Sequence, residues 1–249
     1  MRINRPMVVH PDTLLPGMQG AFLAAPFLND GANHLYTPRV QKYISMYHLN
    51  IGNPGYTDNE EEIPIVDKPK LVIPDIVWPF HQVKRHITPM CGGHFFVDDD
   101  VMMRFIRHPE NYIPTLRKCC VVLSLDLSTY QEFRLPIIRH NVYLNRLYTQ
   151  ELQHNGVNVV PVVQWRDRKS FAFCFLGIPR GSVIAISTMG VLSNTISLAL
   201  WKEGATEALR QIEPEAVLLY GEGIDFDFGG IDVFMLENQT IRRMRNYGR

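Results

Sequence analysis

Carboxylates recur where apolar runs stop, and those positions are the ones that could do chemistry. Asp98, Asp99 and Asp100 close HFFVDDD, Asp126 stands in LSLDLSTY, and Glu222 follows EAVLLYG. Acids at neighbouring strand ends could hold Mg²⁺ or Mn²⁺, because hard cations take oxygen ligands and two carboxylates plus water suffice. They could equally serve as a general acid and a general base. The competing role is structural, since an aspartate after a strand commonly caps the following helix. Asp126 is the sharpest of the set: an acid among apolar neighbours needs a partner, and Arg139 or Arg146 on the next helix would supply one. Asp98, Asp126 and Glu222 are therefore the candidate catalytic residues.

Other polar and aromatic residues end apolar runs in the same way. Trp165 closes VNVVPVVQW, where it would serve as a stacking platform for a base or sugar or as an ordinary core-edge aromatic. Ser187-Thr188-Met189-Gly190 sets hydroxyls and a glycine before a helix, the arrangement of a small anion site, without the lysine and glycine count of a P-loop. Tyr220 ends the last apolar run. With Arg146, these residues (Trp165, Ser187, Thr188 and Tyr220) are the candidate substrate contacts. His86 and His94 flank Cys91-Gly92-Gly93 at a spacing compatible with zinc, but no fourth ligand stands nearby. GxSxG, HExxH and Walker patterns are absent.

What must position these residues is a parallel sheet. Runs ending near residues 98, 126, 165, 188 and 221 are apolar on both faces, as strands buried between helix layers are. They recur at roughly thirty residues, the length of a strand–helix–strand unit. Pro136 opens a helix that reaches His154 and stops at Asn155-Gly156. A second helix begins after Ser193 and Asn194, with Gly204 a weak point, and ends before Pro214. FAFCFLG alternates briefly. The expected fold is α/β, with a mainly parallel sheet of five or six strands and flanking helices. The spacing admits an open sheet or a partial TIM-like barrel. Ligands in such sheets sit at the carboxyl ends of the strands, which places the candidates on one edge.

Organisation along the chain follows from punctuation. Residues 1–70 form an irregular N-terminal arm and loop segment, broken by Pro6, Pro11, Pro16 and Pro26, with a short helix near Thr37-Pro38 and an acidic loop at GNPGYTDNEEEIP. Residues 71–225 form the α/β domain, opening with LVIPDIVWPF as an edge strand. Residues 226–249 read as a glycine-turned hairpin, GIDFDFGGIDVFMLENQ, and a basic tail containing Arg242, Arg243, Arg245 and Arg249.

The 249 residues are 46% hydrophobic, enough for a full core. Lys plus Arg and Asp plus Glu are each 25, so a whole-surface basic field for nucleic acid is excluded, while a local patch is not. The four cysteines show no CxxC spacing, which fits reduced thiols in a cytoplasmic protein. No apolar run is long enough to span a membrane, and the N-terminus lacks the order of a signal peptide.

Taken in order, HFFVDDD, HPENY, LSLDLSTY, LPIIRHNVYLNR, NGVNVVPVVQW, SFAFCFLGIPRGSVIAISTMG and EPEAVLLYG resemble a bacterial and phage family known as a domain of unknown function. That family occurs in prophages and mobile elements, and some members carry the label rolling-circle replication initiator. The resemblance runs from about Ile73 to Gly221. The family's Ser-Pro-Asp-Phe-Ser stands here as Ser124-Leu125-Asp126-Leu127-Ser128, which keeps the polar positions. It implies shared positions at Phe96, Asp98, Asp99, Asp126, Ser128, Tyr130, Asn145, Arg146, Pro161, Trp165, Ser187, Thr188, Gly190, Tyr220 and Gly221, with no catalytic assignment attached. A rolling-circle nicking enzyme needs paired histidines about one apolar residue and a helical tyrosine. Tyr143 and Tyr148 share a helix, but no His-x-His triplet exists.

Two function classes follow. One is a metal-assisted enzyme acting on a phosphorylated or nucleic-acid substrate, with Mg²⁺ or Mn²⁺ as its cofactor. The other is a non-catalytic, replication-associated or accessory protein that binds nucleic acid or a host or phage protein.

Overall fold

The computed structural model describes residues 46–48, 51, 57, 59–192 and 194–236. Seven strands alternate with helices: β1 (Ile76–Pro79), β2 (Cys91–Phe95), α1 (Asp99–Arg107), α2 (Ile113–Leu116), β3 (Val121–Leu125), α3 (Leu135–His154), β4 (Val159–Val160), α4 (Phe171–Cys174), β5 (Val183–Ser187), α5 (Thr195–Ile212), β6 (Ala216–Tyr220) and β7 (Asp232–Leu236). Every ladder is parallel, in the orders β1-β2-β3-β4 and β5-β6-β7.

The two sheets meet at Pro161. Lacking an N–H, proline cannot extend β4 as an ordinary ladder strand. Its carbonyl instead accepts from Ala185 N at 2.9 Å, and Val163 N donates to Ala185 O at 2.8 Å. A parallel bridge at Val162 and Ala185 joins β4 to β5 there.

Period-two alternation divides the strand residues between two environments. Val77, Val121, Leu123, Val160, Val162, Val183, Ala185, Ala216, Leu218, Tyr220 and Leu236 share one cluster that contains no helix residue. Their alternates, such as Val122, Ile184, Ile186, Val217 and Leu219, pack instead with Met102, Phe105, Leu147, Trp201 and Ala205 from the helices. The strands therefore curl around a common interior and the helices lie outside. No ladder joins β7 to β1 among the described residues.

The helices begin and end for local reasons. Pro136 occupies the first turn of α3, where its missing N–H costs nothing. Asn194 caps α5, its side chain accepting from Ile196 N at 2.8 Å. Residues 63–70 run against the end of α3, where Gln150 Nε2 donates to Ile65 O and Gln153 pairs with the backbone of Asp67 through both ends of its amide.

The mainly parallel α/β architecture stands, its seven strands divided between a four-stranded and a three-stranded sheet. Two sequence expectations are corrected. The segment expected as a C-terminal hairpin holds instead a loop and β7, which pairs parallel with β6 from Ala216↔Asp232 to Tyr220↔Leu236. Gly229-Gly230 turns the chain within that loop, and the strand that follows returns to the sheet in the same direction as the others. FAFCFLG forms the one-turn helix α4, because Phe173 and Cys174 bury on the same side against α3 and α5. The short helix near Thr37, residue Ser193 and the basic tail lie outside the described residues.

Candidate functional site

A cavity of about 800 Å³ opens at the carboxyl ends of the strands. Asp98, Asp126, Trp165, Ser187 and Tyr220 line it, together with Asp99, Gln164, Arg166 and Trp201. β2, β3, β4, β5 and β6 thus each deliver residues at the point where the chain leaves the core.

Asp126 follows directly on β3. No hydrogen-bond donor among the described residues reaches its carboxyl. Burial pushes its pKa up to about 7, and the neighbouring Asp99 adds to the rise. Asp99, on the first turn of α1, accepts from the backbone N–H and the hydroxyl of Ser128, both at 3.1 Å. Tyr220 lies beneath, stacked on Phe96 at 4.2 Å between ring centroids. Burial, and then Asp126, push its phenol up to about 12, so it stays a neutral donor. Asp98 is exposed and stands at the N-cap of α1 without a side-chain capping bond.

The aromatic wall is rigidly held. Trp165 Nε1 donates to Leu200 O at 3.1 Å, and Trp201 Nε1 donates to Ser187 O at 2.8 Å. Thr129 Oγ1 donates to Trp165 O, which ties the loop after β3 to the end of β4. Beside Trp165, Gln164 carries an enclosed Nε2 with no acceptor. The basic residue in the lining is Arg166, and its guanidinium is engaged with the Asp167 carboxylate and with Phe133 O.

Three sequence candidates stand elsewhere. Arg146 does not pair with Asp126. It is 1% exposed and donates to the carbonyls of Leu176, Cys174 and Val162 and to Asn145 Oδ1. About three turns into α3, its side chain faces the layer between helix and sheet rather than the strand ends. Arg139, the other expected partner, meets Glu61 at 2.8 Å. Thr188 is buried outside the cavity lining, its hydroxyl donating to Glu222 O at 2.7 Å. Glu222 is exposed and its carboxylate is outside the cavity lining.

The His86, Cys91 and His94 spacing does not converge. His86 stacks on Trp78, Cys91 belongs to the outer core, and His94 lies in the interior beside Tyr220. No group of three or more His, Cys, Asp or Glu able to hold a metal ion occurs among the described residues. The four cysteines are unpaired. Tyr148 is buried, with its hydroxyl donating to Ile106 O at 2.7 Å, which removes it as an accessible nucleophile.

Gln164, Arg166 and Trp201 were not singled out as site residues from the sequence. Gln164 and Arg166 flank Trp165, so the strand-end position was the available signal. Trp201 sits inside α5 and carried none.

A curled parallel α/β sheet with an acidic, aromatic cavity at its carboxyl edge is the class these features define. Within that class the chain belongs to the family described as Domain of unknown function (DUF4417), whose model matches residues 56–237. It is 33% identical over 139 residues to the Gene 1 protein of Mycobacterium phage D29, covering 55% of this chain and 52% of that protein. It is 32% identical over 140 residues to the Gene 1 protein of Mycobacterium phage L5, covering 55% of this chain and 61% of that protein. The aligned region spans little more than half the length of these curated relatives. No solved structure matches the chain. No helix among the described residues is long and apolar enough to cross a membrane.

Proposed function

We propose that the cavity is the active site of a metal-assisted enzyme acting on a phosphorylated or nucleic-acid substrate. The observation that carries this reading is Asp126, an enclosed carboxyl without a hydrogen-bond donor beside a second carboxylate, Asp99. A divalent cation offsets both the enclosure and the like charge. It would take oxygen ligands from Asp126 and Asp99 and complete its shell with waters and substrate oxygens, as Mg²⁺ commonly does.

The lining charge supports the same reading. Asp98, Asp99, Asp126 and Glu132 outnumber Arg166, which is already engaged. A bare phosphate would be repelled, and a bound cation reverses that sign. Asp98, Trp165, Ser187 and Tyr220 surround the position, while Arg146, Thr188 and Glu222 have no part in it. The phage relatives support a phage source.

Thermal unfolding in millimolar Mg²⁺ or Mn²⁺ tests the proposal. Binding to the native state alone raises Tm by mass action, and Asp126→Asn should abolish the rise. An unchanged Tm, or an equal rise in Asp126→Asn, would sink it and favour the non-catalytic binding protein.

A further inference from the structure

We infer that the aromatic half of the cavity is a nucleobase pocket, and that the ligand is a single nucleotide unit with its base on Trp165 and its polar edge on Gln164. The phosphate end of this inference rests on the metal-assisted reading above; the base end does not.

The indole of Trp165 is fixed before any ligand arrives. Its N–H is bound to Leu200 O, and Gly204 leaves room for the ring against α5. A preset aromatic wall avoids the ordering cost that weakens binding on mobile side chains. Base stacking on such a wall is tolerant of sequence, because every base has a π face.

Gln164 supplies the second, independent observation. A buried amide nitrogen without an acceptor is rare enough in native proteins to require an explanation, and no protein group nearby provides one. A ring carbonyl on a base would. The amide's oxygen and nitrogen can exchange places by a flip, so the same side chain would also serve an N–H edge.

Size and charge favour one nucleotide over a polymer. A cavity of about 800 Å³ falls in the range of small-molecule sites, roughly 300–1,000 Å³, and is too small for a duplex. A chain of zero net charge with acids around the opening has no field to draw in a polyanion.

Tryptophan fluorescence titration of the full chain provides the test. The probes are nucleosides, their 5′-monophosphates with and without Mg²⁺, and ribose 5-phosphate with Mg²⁺. Nucleosides should quench without metal, and nucleotides with Mg²⁺ should bind about tenfold or more tighter than ribose 5-phosphate. Gln164→Leu and Trp165→Phe should each weaken nucleoside binding about fivefold or more. Their thermal unfolding separates a lost contact from a lost fold, and Gln164→Leu decides the matter if Trp165→Phe fails to fold. Absent nucleoside binding, ribose 5-phosphate equal to the nucleotides, or undiminished binding by Gln164→Leu would each overturn the inference. Nucleoside binding with no response to Mg²⁺ would overturn the metal-assisted reading alone.

Discussion

A Cβ placed on Gly204 would lie 2.0 Å from Nε1 of Trp165, so the tryptophan occupies space that α5 surrenders at one residue. Helix propensity alone says that Gly204→Ala should stabilise α5 by about 1 kcal/mol. The close approach says the opposite, since the indole N–H is tied to Leu200 O of the same helix and holds the ring against it. Because a Cβ there would overlap the indole so held, we expect Gly204→Ala to destabilise by about 1–3 kcal/mol, as overpacking does, and to shift the tryptophan emission. A stability gain in urea unfolding would show that Trp165 moves freely.

Arg146 gives a second test, because it is a buried cation held by oxygen dipoles with no carboxylate. Burial brings its pKa down to about 10, which still leaves it charged near neutrality. Three backbone carbonyls and the Asn145 amide oxygen accept from its fork of donors. Arg146→Met removes that donor from the buried carbonyls of Leu176 and Cys174, while Asn145 Oδ1 keeps Ser124 and Val162 O keeps Asn145 as donor. The expected loss is about 3 kcal/mol in denaturant unfolding. Arg146→Lys should recover only part of it, because an ammonium cannot reproduce the planar fork.

These two residues mark what could be read from the sequence. Strand ends were legible because buried parallel strands are apolar on both faces, so the break at Asp126, Trp165, Ser187 and Tyr220 was visible. Their convergence on one cavity follows from parallel topology alone. Arg146 is misplaced by the sequence because a helix position about three turns from the N-terminus points according to the local packing, which periodicity does not reveal. β7 reads as half of a hairpin because Gly229-Gly230 stands between two short apolar runs, a turn signal that does not fix the direction in which the next strand pairs. The vacancy at Gly204 depends on a side chain about forty residues away, and Gln164 lacks a partner only once the fold has formed around it.

Gly221 closes β6 at φ 116°, where a Cβ would stand 2.6 Å from Thr188 Oγ1. Gly221→Ala combines backbone strain with that contact, and about 2 kcal/mol of destabilisation is expected. Thr188→Ala in the same chain should recover part of the loss, giving a favourable coupling in a double-mutant cycle. Simple additivity of the two substitutions would show that the contact relaxes at no cost.

Asp126 sets the pH dependence. Its pKa of about 7 stands above the unfolded value of 3.8, with burial the larger cause and Asp99 the smaller. Below the unfolded pKa both states are protonated and the residue costs nothing. Between the two values the unfolded chain is ionised while the folded chain holds its proton, so stability falls as pH rises. Above the folded pKa the full penalty is present. Asp126→Asn removes the charge, so it should be more stable than the native chain at pH 8, by on the order of 1–3 kcal/mol. The gain should narrow as pH falls through the window and vanish near pH 4. Millimolar Mg²⁺ should shrink the difference at pH 8 by stabilising the native carboxylate alone. A gain that is independent of pH between 4 and 8 would mean that Asp126 is ordinarily solvated, and with that the electrostatic basis for the site would be lost.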